Sequence, residues 1–355
     1  MLDSLRPAVS AQPSMWQSGS QGFLWMALIG LGCLTGCSRS DPAPALPVLK
    51  IDPARVSVSG VSSGAYMAAQ AHVAFSTRIH AAAMLAGGPY GCAQGSLDRA
   101  LADCMKGTPA PDVAALIARA TTFADAGQID PIAGLADDPV FIAHGSSDPI
   151  VNNIVSQAAI AFQQGIAPTA PLQVSLDQAY GHLWPRSQAG NCQPDAGYMA
   201  DCGFDMAAAM ATALEPATAS PASAPPSAPG KLLVFDQNLK PELASNAKLD
   251  DAGFLYVPAA CEQEACGLHV IFHGCEMNRE KIGDAFAADP DWHRQADARH
   301  LVLLYPQTVS SLMPLNPKGC WDWWGYTGEA YDQKHGAQLQ WLDAVFLHFG
   351  LTEPN

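Results

Sequence analysis

Short apolar or alternating segments recur along the chain, separated by stretches with helical spacing. Residues 55–60, Arg-Val-Ser-Val-Ser-Gly, alternate as a strand does, and the Ala-rich stretch 65–76 after them favours a helix. Further strands are predicted at 79–85, 140–144, 172–175, 232–235, 253–257, 268–272 and 301–305, and further helices at 114–123 and 154–163. Strands that alternate with helices indicate the α/β class, with a mostly parallel, doubly wound sheet.

The composition narrows the classes of function. Of the 355 residues, 49% are apolar and 14% are charged, so the chain can bury a large core. The formal net charge is −15 and no basic run occurs, whereas binding to nucleic acid needs clustered Lys and Arg. We therefore expect no nucleic-acid partner, and an uncharged substrate would not be repelled by the acidic surface.

The first 37 residues have the pattern of an export signal. The apolar stretch 23–34 is about as long as a signal-peptide core and too short to span a bilayer. It ends in Leu-Thr-Gly-Cys, which resembles the lipobox of bacterial lipoproteins, with Cys37 as the lipidated residue. We predict a lipoprotein signal peptide over residues 1–37, a flexible tether over 38–47 and a lipid anchor that holds the folded domain at a membrane surface.

Two alternatives for this segment stay open. One is an ordinary secretory signal that is cleaved nearby, which would make the protein extracellular or periplasmic without an anchor. The other concerns the start of translation: the region before the apolar stretch is long and has Arg6 as its one basic residue, so Met15 or Met26 is an alternative start.

The cysteines indicate an oxidising compartment. Of ten cysteines, Cys33 and Cys37 fall in the predicted signal, which leaves an even eight. Proximity in the sequence suggests the pairs Cys92–Cys104, Cys192–Cys202, Cys261–Cys266 and Cys275–Cys320, although many other pairings are possible. No Cys-x-x-Cys pair occurs, so we expect no metal site.

Gly60-Val61-Ser62-Ser63-Gly64, between a predicted strand and a predicted helix, has the Gly-x-Ser-x-Gly pattern of a nucleophile elbow. The turn that carries such a serine is so tight that its neighbours need glycines. The following helix directs its N-terminus at the oxyanion, and the N–H of Ser63 supplies one donor. The sequence therefore predicts Ser62 as a catalytic nucleophile.

A serine nucleophile needs a base, and the base needs an orienting carboxylate. Asp148 follows the strand 140–144 in a turn, and His182 follows the extended segment 172–175. The order Ser, Asp, His is that of α/β-hydrolases. The alternatives are a turn-capping role for Asp148 and a buried, carbonyl-bonded role for His182. His72, His80 and His144 lie within predicted helices or strands and are less suitable bases.

The second half of the chain carries a strand that runs into His273-Gly274-Cys275. In α/β-hydrolases such a loop gives the second oxyanion donor, and the N–H of Cys275 is the candidate. Residues 215–230 are rich in Pro, Ala and Ser and form a linker. Because the first half has the nucleophile and the second half the oxyanion loop, we expect one sheet, and one catalytic domain over 48–350, built from both halves.

The segment 320–326 contains three tryptophans within four positions, Trp321, Trp323 and Trp324. Such side chains often belong to a core. If they are exposed beside Ser62, they would instead bind an apolar polymer. Tyr66, on the helix after Ser62, is a further candidate for contact with the substrate.

Together these segments resemble the catalytic domain of extracellular polyhydroxybutyrate depolymerases, specifically their circularly permuted class within the α/β-hydrolase superfamily. The matching segments are 60–64, 144–148, 181–182, 198–205, 256–258, 269–275, 305–308 and 319–325. The resemblance implies Ser62, Asp148 and His182 as a catalytic triad and the amides of Ser63 and Cys275 as the oxyanion hole. It also implies that the linker joins what are the two termini of the unpermuted fold.

The function implied is a secreted serine esterase that hydrolyses polyhydroxybutyrate or its hydroxyalkanoate oligomers without a cofactor. Many members carry a C-terminal substrate-binding domain, and the sequence ends at Asn355 without one. We therefore expect soluble oligomers or amorphous granules rather than crystalline polymer as substrates. Two alternatives remain: a feruloyl or acetylxylan esterase, and a non-catalytic lipoprotein that binds polymer through its tryptophans.

Overall fold

The computed structural model describes residues 42–193, 197–215 and 228–353. The predicted signal peptide with Cys37, the first part of the tether and residues 216–227 of the linker lie outside these residues. The described residues belong to one compact unit, which lies within Pro42–Asn355.

The described residues form ten strands, nine α-helices and three short helical turns. The strands are β1 Ile51–Val61, β2 Ala82–Leu85, β3 Val140–Ala143, β4 Leu172–Ser175, β5 Trp184–Arg186, β6 Met199–Asp201, β7 Lys231–Asp236, β8 Ala252–Val257, β9 Cys266–Phe272 and β10 Leu301–Tyr305. The α-helices are α1 Ser63–Ala74, α2 Leu97–Leu101, α3 Val113–Asp125, α4 Asn153–Ile166, α5 Met206–Leu214, α6 Pro241–Ala247, α7 Arg279–Ile282, α8 Pro290–Arg299 and α9 Ala337–His348. A π-helix spans Ala102–Lys106, and 3₁₀ helices span Ile132–Leu135 and Ala259–Glu262.

Eight strands form one sheet in the order β4-β3-β2-β1-β9-β10-β8-β7. Neighbours are parallel except at one edge, where β8 is antiparallel to both β10 and β7. The strands before the linker form one half of the sheet, and the strands after it form the other half. The two halves are joined by the parallel pairing of β1 with β9. The expected α/β fold is confirmed, and both halves of the chain contribute to one sheet, as a permuted arrangement requires.

The sheet is covered on both faces, which explains the apolar character of its central strands. Every residue of β9 is buried, and two consecutive residues of this strand, Val270 and Ile271, belong to different clusters of core residues. The first cluster includes residues of α1, α3, α4, α6 and α9, and the second includes residues of α5 and α8. Successive side chains of a strand point to opposite faces, so this central strand contributes to both cores.

Two expectations about local structure need correction. The strand predicted at 79–85 begins at Ala82. The tether predicted over 38–47 is wrong for residues 44–46, because the carbonyl of Pro44 accepts a hydrogen bond from the N–H of Asp236 at 2.7 Å and Leu46 is buried in the first core cluster. Burial of an apolar side chain next to a paired backbone fixes this segment on the edge strand β7.

The eight predicted cysteines are joined as Cys92–Cys104, Cys192–Cys202, Cys261–Cys266 and Cys275–Cys320. A two-stranded parallel sheet of β5 and β6, which the sequence did not predict, follows the loop of His182. In the part of the chain that the structure describes, no helix has the length and apolar character needed to cross a membrane.

Candidate active site

Ser62 lies on a sharp turn between β1 and α1, and its backbone has φ 57° and ψ −121°. A side chain other than Gly adopts positive φ at a cost, and such strain is concentrated at functional sites. The glycines around it are required by close backbone approaches. A Cβ atom on Gly60 would lie 2.1 Å from the carbonyl oxygen of Gly64, and one on Gly64 would lie 2.1 Å from the carbonyl oxygen of Phe272.

Asp148 follows β3, at the carboxyl end of the sheet, and its side chain is inaccessible to solvent. Its Oδ1 accepts hydrogen bonds from the N–H groups of Ile150 and Val151 at 2.8 and 3.0 Å. Its Oδ2 lies 2.7 Å from Nδ1 of His182. Burial alone would raise the pKa of Asp148, but the hydrogen bonds from His182 and the two amides outweigh it and lower that pKa. The group is therefore a carboxylate at neutral pH.

The ring of His182 joins this carboxylate to the serine. Its Nε2 lies 2.8 Å from Oγ of Ser62, and its Nδ1 faces Asp148. A neutral ring with its proton on Nδ1 satisfies both contacts, since Nε2 then accepts the hydroxyl proton of Ser62. The His182 side chain is 17% exposed, so an incoming ester and the attacking water can reach it. The structure thus brings together all three residues predicted from the sequence.

Two of the other histidines considered as bases, His72 and His144, have different partners, although Nε2 of His144 also lies 3.7 Å from Oδ2 of Asp148. His144 is buried, with Nδ1 2.8 Å from Oγ of Ser156 and Nε2 3.1 Å from the carbonyl oxygen of Val151. Burial lowers its pKa. His72 pairs with buried Asp138 at 2.9 Å. These contacts assign structural roles to both.

The two backbone N–H groups predicted as oxyanion donors belong to Ser63, the residue after Ser62, and to Cys275, the residue after Gly274. Ser63 is the first residue of α1, and its N–H therefore has no acceptor within the helix. Gly274 packs against the elbow so closely that a Cβ atom on it would lie 3.5 Å from Cβ of Ser62. Among the hydrogen bonds of the described residues, none is donated by the N–H of Ser63 or of Cys275. Both N–H groups are therefore available as donors, and their role as an oxyanion hole stays a prediction.

The aromatic residues depart from the sequence prediction. Trp321 is 1% exposed and packs edge-on against Phe272 in the first core cluster, with ring centroids 4.9 Å apart. Trp323 and Tyr66 are also buried and stack on each other at 4.7 Å. The prediction of substrate contact is therefore wrong for these three side chains, because Trp321 is packed in the first core cluster and Trp323 and Tyr66 in a smaller, separate one. Trp324 is half-buried and is the most accessible of the four.

The Trp321 segment nevertheless borders the site through its backbone. The N–H of Trp321 donates to Oγ of Ser63 at 3.3 Å, and the preceding Cys320 is bonded to Cys275. In the described ranges, no group of three or more His, Cys, Asp or Glu side chains is arranged to hold a metal ion.

A mostly parallel sheet with a serine on a strained turn, and with a histidine and an aspartate at the carboxyl ends of neighbouring strands, defines an α/β-hydrolase with a serine nucleophile. No protein-family model matches the chain.

Comparison with known proteins identifies the family. The chain is 34% identical over 326 residues to a poly(3-hydroxybutyrate) depolymerase of Delftia acidovorans, a match that covers 90% of this chain and 63% of the relative. It is 31% identical over 314 residues to a polyhydroxybutyrate depolymerase of Talaromyces funiculosus, which covers 84% of this chain and 90% of the relative. The chain belongs to the polyhydroxybutyrate depolymerase family.

Solved structures give the same relationship. The crystal structure of a polyhydroxybutyrate depolymerase from Penicillium funiculosum superimposes with a TM-score of 0.75 at 27% identity, covering 86% of this chain and 99% of that chain. A serine-to-alanine variant of a polyhydroxybutyrate depolymerase complexed with an R3HB trimer gives a TM-score of 0.74 at 27% identity, covering 86% and 98%. The chain spans 63% of the length of the Delftia relative.

Proposed function

We propose that this protein is a serine esterase that hydrolyses the ester bonds of polyhydroxybutyrate or its hydroxyalkanoate oligomers. The observation that carries the proposal is the position of His182, whose Nε2 lies 2.8 Å from Oγ of Ser62 while its Nδ1 lies 2.7 Å from Oδ2 of Asp148. Membership of the depolymerase family supports an ester as the bond that is cleaved and an uncharged polyester as the substrate.

The geometry supports acyl transfer in two steps. In the first, Oγ of Ser62 attacks the ester carbonyl carbon while its proton passes to Nε2 of His182, and Asp148 stabilises the imidazolium. The N–H groups of Ser63 and Cys275 donate hydrogen bonds to the carbonyl oxygen and stabilise the negative charge that forms on it. The protonated His182 then gives its proton to the leaving alkoxide, and a hydroxyacyl ester on Ser62 remains.

In the second step a water molecule replaces the leaving alcohol. His182 takes a proton from this water, the resulting hydroxide attacks the acyl carbon, and a second tetrahedral species forms in the same oxyanion hole. Collapse of this species returns the proton from His182 to Ser62 and releases a hydroxyacid. We assign contact with the acyl or alcohol portion of the substrate to Trp324, the half-buried member of the predicted aromatic set, since Trp321, Trp323 and Tyr66 are buried.

The test is replacement of the nucleophile. Ser62→Ala should keep the thermal unfolding midpoint within a few degrees and remove turnover of p-nitrophenyl butyrate and of a hydroxybutyrate trimer. The matched control is Ser147→Ala, an exposed serine one residue before Asp148, which should keep wild-type activity. A fluorophosphonate should label the wild type and not Ser62→Ala. Substantial remaining turnover in Ser62→Ala would refute the assignment.

Activity assays on different substrates distinguish the alternative functions. A polyester hydrolase should release hydroxyacids from amorphous polyhydroxybutyrate faster than it cleaves feruloyl or acetylxylan esters, and the reverse order would favour the plant-polymer esterase. Absence of both activities together with absence of fluorophosphonate labelling would favour a non-catalytic polymer-binding lipoprotein.

We further propose that the protein is exported as a lipoprotein that is lipidated at Cys37. The lipobox-like Leu-Thr-Gly-Cys and the four disulfides of the described residues support export to an oxidising compartment. Labelling with a fatty-acid probe should tag the wild type, and Cys37→Ser should lose the label and leave the membrane fraction. An unlabelled wild-type protein found only in the soluble fraction would favour a cleaved secretory signal.

A further inference from the structure

The acyl-transfer mechanism uses no group of His273, the residue directly before Gly274 and Cys275. Its side chain is fully buried. Its Nδ1 lies 2.7 Å from the carbonyl oxygen of Gly274, the next residue. Its Nε2 lies 3.3 Å from the backbone nitrogen of Thr308.

These two contacts define the protonation state of the ring. The N–H of Thr308 can only donate, so Nε2 of His273 must be the acceptor. The ring proton is then on Nδ1 and is donated to the carbonyl of Gly274. Burial lowers the pKa of His273 to about 4, which agrees with a neutral ring at neutral pH.

The carbonyl of Gly274 and the N–H of Cys275 belong to the same planar peptide unit. In a trans peptide these two groups point in opposite directions, so a hydrogen bond that holds the carbonyl also sets the direction of the N–H. Glycine permits rotation of its peptide that other residues resist. A rotated Gly274–Cys275 peptide would turn a carbonyl oxygen towards the developing oxyanion and repel it.

The same peptide is held from its other side. The side chain of Cys275 is bonded to Cys320, and the hydroxyl of Thr308 donates to the carbonyl of Gly319, the residue before Cys320, at 2.6 Å. Thr308 therefore contacts both the histidine and the segment that carries the disulfide. The carbonyl of Gly274 accepts two hydrogen bonds, from Nδ1 of His273 at 2.7 Å and from the N–H of Met277 at 3.2 Å, and the bond from His273 is the shorter.

We propose that His273 is a positioning residue that holds the Gly274–Cys275 peptide so that the N–H of Cys275 faces the oxyanion formed on the substrate bound to Ser62. The proposal rests on the proposed esterase function. It assigns to His273 no contact with the substrate and no proton transfer.

Two substitutions separate positioning from packing. In His273→Asn the amide nitrogen can occupy the place of Nδ1 and still donate to Gly274. In His273→Gln the amide reaches the place of Nε2, so the contact with Thr308 is kept and the donor to Gly274 is lost. Both replace a buried ring by a smaller polar side chain, and we expect them to lower the unfolding midpoint by similar amounts.

The kinetic expectation is specific. With p-nitrophenyl butyrate, His273→Gln should lower kcat about 100-fold, as loss of an oxyanion donor does, and leave KM within about threefold. His273→Asn should retain kcat within about tenfold of the wild type. A boronic acid that forms a tetrahedral adduct with Ser62 should lose affinity in His273→Gln in parallel with kcat. Equal kcat in the two variants, or a loss that follows only the unfolding midpoint, would overturn the proposal.

A measurement on the wild type makes the test independent of how the variants fold. Nitrogen-15 spectra of the histidine rings should contain a signal of His273 as a neutral ring that is protonated on Nδ1 and does not titrate above about pH 5. This signal should be absent from the spectrum of His273→Asn. A ring protonated on Nε2 could not donate to the Gly274 carbonyl, which would keep only the N–H of Met277 as a donor, and this result would overturn the proposal. An active wild type with an unaffected His273→Gln refutes only the positioning role, whereas a wild type inactive on every ester refutes the proposed function and this role with it.

Discussion

A Cβ atom on Gly60 would lie 2.1 Å from the carbonyl oxygen of Gly64, so the first and last residues of the Gly-x-Ser-x-Gly segment are in backbone contact. The contact exists because the chain reverses over three residues, with Ser62 at positive φ in the middle. The glycines of the sequence pattern are therefore a steric requirement of the turn. Gly60 also pairs in the sheet with Phe272, the last residue of β9, and the carbonyl of Phe272 lies against Gly64. The turn around Ser62 is therefore packed against the end of β9.

Gly60→Ala should destabilise the protein and remove its activity. The new methyl group would meet backbone rather than a flexible side chain, and a strained insertion of this kind costs about 1–3 kcal/mol or more. Urea unfolding and p-nitrophenyl butyrate turnover are the measurements. Gly165→Ala is the control, because this helical glycine faces the end of the Ile117 side chain, which can move, and alanine is the better helix former. A Gly60→Ala protein as stable and active as Gly165→Ala would contradict the steric argument.

Asp148→Asn should lower kcat by about 10³–10⁴-fold with a smaller effect on stability, because an amide would favour the wrong ring tautomer of His182. The chain supplies a matched control in Asp138, a second buried aspartate that pairs with a histidine, His72, at 2.9 Å. Asp138 precedes β3 and Asp148 follows it, so the two pairs lie at opposite ends of that strand. Asp138→Asn should cost stability and leave kcat of the folded enzyme near that of the wild type. Equal loss of kcat in both variants would show that the effect is structural.

Stability should fall as the pH is lowered from about 6.5 towards 4. Burial lowers the pKa of His269 to about 3 and that of His273 to about 4, from an ordinary value of 6.5. In this window the unfolded chain binds protons that the folded chain excludes, so the free energy of unfolding decreases with decreasing pH. Each such histidine contributes a slope of up to about 1.4 kcal/mol per pH unit.

Urea unfolding across that window measures the slope. His269 lies between the hydroxyls of Ser57 and Ser59 at 2.7 and 2.8 Å, and His269→Asn should reduce the slope while lowering stability at neutral pH. His335→Gln, at an exposed histidine, is the matched control and should keep the wild-type slope. A slope that is unchanged in His269→Asn would refute the contribution assigned to this ring.

The sequence predicts most of the sheet and the residues that meet in the site, for two physical reasons. Buried parallel strands have apolar patterns that can be recognised locally, as in residues 268–272. The turn around Ser62 needs glycines at fixed spacing, so its chemistry is also visible in the sequence. The position of Asp148 and His182 after strands then follows, because the carboxyl ends of parallel strands meet at one edge of the sheet.

What the sequence does not predict depends on contacts between distant segments. The burial of Trp321 against Phe272 and the stacking of Trp323 on Tyr66 require the loop 320–326 to fold back on α1, and tryptophan occurs in cores and on binding surfaces alike. The bond from His273 to the Gly274 carbonyl is local in sequence, but its meaning depends on Thr308, 35 residues later, which fixes the ring tautomer. A single sequence contains no signal for such a pairing.

The loop 311–316 exposes apolar side chains at the end of the sheet where β9 and β10 end. Leu312, Met313 and Leu315 are 81%, 89% and 55% exposed, whereas Asn316 is fully buried. The loop is closed by reciprocal backbone hydrogen bonds between Ser311 and Asn316 at 2.9 Å. The side chain of Asn316 bonds to the backbone of Cys320, which is joined to Cys275. An uncharged apolar tip is therefore held at the same end of the sheet as the oxyanion loop.

If the substrate is a solid polyester, this tip should contribute to adsorption, since burial of apolar area on a surface is favourable by about 25 cal/mol per Å². We expect the combined replacement of Leu312, Met313 and Leu315 by Ser to weaken binding to polyhydroxybutyrate granules about tenfold or more. Hydrolysis of the granules should slow accordingly, while kcat and KM for p-nitrophenyl butyrate should stay at wild-type values. Val48→Ser is the control, because Val48 is 81% exposed just before β1, at the end of that strand opposite to Ser62. Equal weakening by Val48→Ser, or unchanged adsorption of the triple variant, would show that the loop does not contact the polymer.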